Sequence, residues 1–136
     1  MKHLIMTLTA LVVALPAAAQ QYTTAAEVRP ILDATRGKWV AVREYDGKDL
    51  LYFTNLLAWR CGVDTISYMI NGGGLTRLDS EPCHEDEAVP NALKSNDIMP
   101  FISQPLGSID TVEIRLLYDD GSTDSASYQR KNIMTP

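Results

Sequence analysis

The sequence predicts an α+β domain in which a short N-terminal helix packs on a mostly antiparallel sheet of about six strands. Three observations carry this. One stretch of helical periodicity stands near residue 30, the pattern turns to alternating β-branched and aromatic residues from Lys38 onward, and two Asp-Gly turns each join a pair of such runs. Two cysteines add one covalent staple.

Residues 1–19 read as a leader. Met1-Lys2-His3 is a basic start, Leu4 to Leu15 an apolar run, Pro16 a helix breaker and Ala17-Ala18-Ala19 an A-x-A cleavage signal. A cleaved Sec-type signal peptide over 1–19 is therefore expected, with 20–136 as a single domain that is periplasmic or secreted. The apolar run is short of the roughly 20 residues that cross a bilayer, and no stop-transfer segment follows, so no membrane span is expected in the mature chain.

In the domain, Thr24-Ala25-Ala26-Glu27 has the form of a capping box, but Pro30 follows where a helix interior would be. A helix over 30–36 is expected, preceded by a separate turn from Thr24 and ended by Gly37. Trp39 to Glu44 and Leu50 to Trp59 then read as a hairpin about Tyr45-Asp46-Gly47. A three-residue loop would set Glu44 against Lys48 and Arg43 against Asp49, two complementary pairs worth about 0.2–1 kcal/mol each, whereas a two-residue Asp46-Gly47 turn would lose both. Thr65 to Ile70 is a third strand, Asn71-Gly72-Gly73-Gly74 a turn and Leu75 to Leu78 a fourth strand. Residues 79–109, with four prolines and little periodicity, read as a long loop anchored at Cys83, Ile98, Phe101 and Leu106. A second hairpin closes the domain, Thr111 to Tyr118 and Ser122 to Lys131. Its loop Asp119-Asp120-Gly121 would place Ile114 opposite Ala126 and Val112 opposite Tyr128.

Cys61 and Cys83 are expected to pair, since an exported domain with two cysteines most simply forms one disulfide and the spacing is not that of a C-x-x-C redox motif. Closing a loop of about 23 residues contributes roughly 3 kcal/mol in the chain-entropy model. The formal charge is −5, and loss of Lys2 with the leader takes it one unit lower. With no Lys/Arg stripe either, nucleic acid is not expected as a partner.

The catalytic inventory is sparse. His84 is the one histidine of the mature chain, there is no G-x-S-x-G, and Gly72-Gly73-Gly74 lacks the Lys and Ser/Thr of a phosphate-binding loop. Acidic residues gather about Cys83, and Glu81, His84 and Asp86 are the weak candidates for a metal site, without EF-hand or zinc spacing. No cofactor is expected. The aromatic-rich first hairpin offers the other candidate surface: Trp39, Tyr52 and Trp59, edged by Arg43 and Arg60, have the composition of an interaction hot spot. The expected function is a non-enzymatic binding or interaction protein with a protein or envelope ligand as partner. The alternative is a small envelope hydrolase using carboxylates or a metal near His84.

Overall fold

The structure, a computed structural model, describes residues 9–14 and 21–136. The basic start of the expected signal peptide and its cleavage site lie outside the described residues. Among those described, no helix is long and apolar enough to cross a membrane.

Helix α1 spans Ala25–Ala34 and runs straight through Pro30. The expected start at Pro30 is corrected for a physical reason. Pro30 and Ala26, whose carbonyl the missing N–H would have met, both lie on the exposed side, where solvent can satisfy that carbonyl, while Ala25, Val28 and Leu32 face inward. Burying Val28 and Leu32 contributes about 2 kcal/mol each. Thr24 caps the helix through its hydroxyl to the Glu27 amide, and Glu27 reaches back to the amide of Tyr22 rather than of Thr24. The helix stops before Gly37: Thr35 folds its hydroxyl onto the Ile31 carbonyl, and a 3₁₀ turn, Arg36–Lys38, follows.

Seven strands form two antiparallel sheets, so the expectation of one sheet of about six is adjusted. The smaller sheet orders β1 (Ala41–Tyr45), β2 (Lys48–Tyr52) and β5 (Phe101–Pro105). The larger orders β4 (Thr76–Arg77), β3 (Val63–Ile70), β6 (Thr111–Tyr118) and β7 (Thr123–Gln129). Between β2 and β3 lie a helical turn α2 (Thr54–Leu57) and a 3₁₀ turn, Arg60–Gly62, and α3 (Arg130–Ile133) follows β7. The strand expected to reach Trp59 thus ends at Tyr52, because Phe53, Leu56 and Leu57 have helical spacing and all three are buried. Both sheets, α1 and α2 share one core, in which the Phe53 and Tyr68 rings meet at 5.4 Å between centroids.

The first hairpin turns on two residues, Asp46 (φ 50) and Gly47 (φ 71), so Tyr45 pairs with Lys48 and Glu44 with Asp49. Two successive left-handed residues make the turn that matches strand twist. The expected Glu44–Lys48 and Arg43–Asp49 pairs are therefore absent, and Asp49 instead goes fully buried. Its oxygens accept from the amides of Gly107 (2.9 Å) and Ile109 (3.0 Å) and from both terminal nitrogens of Arg130 (2.5 and 3.0 Å). The second hairpin has the expected three-residue loop, with Gly121 left-handed, Ile114 opposite Ala126 and Val112 opposite Tyr128.

The long loop is shorter than expected, because β5 lies inside it and pairs along the whole of β2. Phe101 and Ile98 are half-buried anchors, but Leu106 is 55% exposed and anchors nothing. Cys61 and Cys83 form the disulfide, with Cα atoms 5.0 Å apart. Beside it Gly62 comes so close to α1 that a Cβ there would sit 2.6 Å from the Thr24 carbonyl oxygen.

Candidate functional site

The residues expected to form a binding surface divide between two regions. Arg60 is 5% exposed and uses its guanidinium to hold the proline-rich loop together. It donates to the backbone carbonyls of Leu57, Glu81, Pro82, Asn91 and Ala92 and to the Glu81 carboxylate. Burial depresses its pKa and the Glu81 charge opposes that shift. Trp59, next to it, is half-buried edge-on against Tyr22 with centroids 5.1 Å apart. These two residues belong to the scaffold beneath the disulfide loop and not to an open surface, because loop carbonyls and a neighbouring ring already cover them.

Glu81, His84 and Asp86 are not brought together as a ligand set. Glu81 is 4% exposed, and its oxygens accept from Arg60, from His84 Nε2 at 2.8 Å and from the backbone amides of Lys94 and Ser95. Burial alone would raise its carboxyl, but these bonds and the Arg60 charge together hold it below the ordinary carboxylate value. Asp86 stays exposed. Among the described residues, no three His, Cys, Asp or Glu side chains are placed to hold a metal ion.

Trp39, Arg43 and Tyr52 do converge. Together with Thr54, Asn55 and Pro136 they line a groove of about 390 Å³ at the start of β1. Trp39 is its floor and not an exposed contact: it is fully buried, and its indole N–H donates to the Leu32 carbonyl at 2.8 Å. The expectation that Trp39 would be on the surface is corrected accordingly, for a buried indole with its one donor satisfied is stable in the core. A second concavity of about 300 Å³ continues from the first, sharing Val40, Ala41, Asn55 and Thr135 and adding Lys38 and Met134. One wall of both is the segment after α3, which returns to β1. Val42 and Met134 pair in parallel, and the Thr135 amide donates to the Val42 carbonyl at 2.9 Å.

Strand register supplies the rest of the surface. Ala41, Tyr52 and Phe101 stand side by side across β1, β2 and β5. Because cross-strand partners share a face, Tyr52 and Phe101 present half-buried rings with centroids 5.1 Å apart. Two positions along β1 from each other, Arg43 lies 4.7 Å over the ring of Tyr45, which is 56% exposed. Arg43 and Lys38 are the only side chains lining the groove that carry a charge at neutral pH, and neither forms an ion pair among the described residues. Asn55 fastens the floor by donating to the Lys38 carbonyl at 2.6 Å.

Two other concavities lack this character. A broad one of about 770 Å³ over the outer face of the larger sheet is lined by hydroxyls, and its Arg115 is already paired with Glu113 at 3.0 Å. One of about 410 Å³ beside the disulfide mixes Asp64, Glu85 and Asp119 with Arg77. The groove on β1 therefore stands out chemically, with ring faces, amide and hydroxyl groups and, along its two adjoining stretches, two cationic side chains that form no ion pair among the described residues. The chain matches no protein-family model, no curated protein and no solved structure.

Proposed function

We propose that this is a small exported protein, periplasmic or secreted, which acts by binding a macromolecule or envelope ligand in the groove between β1 and the segment Met134–Pro136. One observation carries the reading: on a chain of net charge −5, the groove is lined by Arg43 and Lys38, neither of which forms an ion pair among the described residues, beside the Tyr52–Phe101 ring pair. Rigid rings and a guanidinium yield much binding energy for little lost conformational freedom. The leader pattern and the disulfide support the location, since disulfides persist in oxidising compartments. A hydrolase built on Glu81 and His84 has less support, because the Glu81 oxygens are already engaged by protein donors.

The test is affinity capture from the native envelope and culture medium with the mature protein as bait. Arg43→Ala and Tyr52→Ala should release whatever is captured while circular dichroism stays native, and His84→Ala should not. Capture indifferent to Arg43 and Tyr52, or recovery of the protein only in the cytoplasm, refutes the reading.

A further inference from the structure

We propose that the ligand of this groove is an acidic oligosaccharide, with carboxylates held by Arg43 and Lys38 and a sugar face laid against Tyr52 and Phe101. The inference rests on the groove being the binding surface and adds the chemistry of what binds there.

Charge decides the first part. Arg43 and Lys38 give the groove two cationic side chains on an acidic protein, so it favours anions locally while the net negative charge repels them at longer range. A nucleic acid, with a phosphate at every residue, needs many cationic contacts to offset that repulsion, and two are present. A ligand with a few carboxylates spaced along a mostly neutral chain suits both the patch and its surroundings. Arg43 and Lys38 lie in adjoining but distinct stretches of the groove, so a single inorganic anion held at Arg43 would leave Lys38 unused. An Arg guanidinium also fits a planar carboxylate with two parallel hydrogen bonds.

The shape of the site decides the second part. A peptide commonly docks on a sheet by adding a strand to a free edge. Here the outer edge of β1 is already taken at Val42 by Met134 and Thr135. What remains is a shallow floor with the Tyr52 ring, the Asn55 amide oxygen and the Thr54 hydroxyl, the Asn55 N–H and the Thr135 hydroxyl being donated to the Lys38 and Val42 carbonyls. Sugars offer alternating C–H faces and hydroxyl edges, which match rings and planar polar groups respectively.

Calorimetric titration of the mature protein with a hyaluronan hexasaccharide, in which carboxylate-bearing and neutral sugars alternate, tests this directly. The comparison ligands are a neutral hexamer of N-acetylglucosamine and a hexaglutamate peptide. The acidic hexasaccharide should bind at least about tenfold more tightly than either, a difference of about 1.4 kcal/mol. Arg43→Gln and Lys38→Gln, both at exposed positions, should each erase most of that preference with the melting temperature unchanged. Tyr52→Ala should weaken both sugars alike. Equal or tighter binding of hexaglutamate would assign the groove to an acidic peptide, equal binding of the neutral hexamer would remove the role of charge, and no binding of either sugar would refute the ligand class. If envelope capture still depends on Arg43 and Tyr52 when no sugar binds, only this inference falls; if capture ignores both residues, the groove itself is not the binding surface.

Discussion

Asp49→Asn tests the most consequential buried contact of the fold. Asp49 has no exposed surface, lies on β2 of the smaller sheet, and accepts from Arg130, which follows β7 of the larger sheet. It also accepts from the amides of Gly107 and Ile109, so one carboxylate ties together both sheets and the connection from β5 to β6. Asparagine keeps the shape but sets an N–H₂ donor among donors and leaves Arg130 without its buried counter-charge. Removing one partner of a buried pair costs about 3–5 kcal/mol. The low end applies here, because the Arg130 side chain is 20% exposed and keeps its bonds to Glu44 and to the Ile109 carbonyl, both at 2.8 Å. A loss of about 3 kcal/mol corresponds to a fall of roughly 12 °C in melting temperature for a domain of this size. Urea unfolding of the wild type, Asp49→Leu, Arg130→Met and the double variant completes the cycle. Each single variant should be the less stable for its orphaned charge, and the double variant should recover at least about 1.5 kcal/mol relative to the sum. A single-variant cost under about 1 kcal/mol, or additive effects, would refute the account of Asp49 as the tie between the sheets.

Other perturbations have equally definite outcomes. The Asp49 carboxyl is held well below the ordinary value by the Arg130 hydrogen bond, against the opposing effect of burial. Its contribution is therefore full above the unfolded value of about 3.9 and is lost as pH falls through the folded one, so the stability gap between wild type and Asp49→Asn should narrow below about pH 4 in urea titrations. Replacing both Cys61 and Cys83 by serine should cost about 3 kcal/mol in chemical denaturation, as expected for a loop of this length; an unchanged midpoint would contradict it. Gly62→Ala should destabilise by about 1–3 kcal/mol, since its methyl would run into the Val28 side chain and lie 2.6 Å from the Thr24 carbonyl oxygen, and a neutral thermal melt would show that α1 does not pack so closely.

Local patterns in the sequence report local structure, and the fold departs from them where distant residues intervene. The second hairpin is legible in its loop and register because its loop type and its apolar face, Val112, Ile114, Leu116 and Tyr118, agree, although its second strand ends at Gln129, before α3 begins, and not at Lys131. In the first hairpin they disagree. Two surface ion pairs worth fractions of a kcal/mol favour one register, while the twist of a two-residue turn and the burial of Asp49 against Arg130 favour the other, and the latter prevail. Nothing near Asp49 in sequence announces a partner 81 positions away. Strand β5 is obscured in the same manner, since prolines at 100 and 105 read as loop. At the edge of a sheet the missing N–H of Pro105 costs no ladder bond, so a proline can end the strand that pairs with Lys48. Helix α1 shows the same exception: Pro30 is tolerated because the carbonyl it strands lies on the exposed side.

The site divides along the same line. Composition singles out Trp39, Arg43, Tyr52, Trp59 and Arg60 because aromatics and arginines concentrate in one hairpin, but composition carries no burial. Arg60 is recruited by five backbone carbonyls, which no side-chain pattern records, and Trp39 fills the core with its N–H satisfied by Leu32. Arg43 and Tyr52 share one face of β1 and β2 by strand register, with β5 extending the sheet on one side and the segment Met134–Pro136 closing β1 on the other. Those two additions also supply Phe101, Thr135 and Pro136, which sequence reading left out of the site. Covering β1 at Val42 limits edge-to-edge aggregation, to which an open strand is prone. The same covering turns a flat sheet margin into a walled groove, so protection of the edge and creation of the candidate binding site are consequences of one contact.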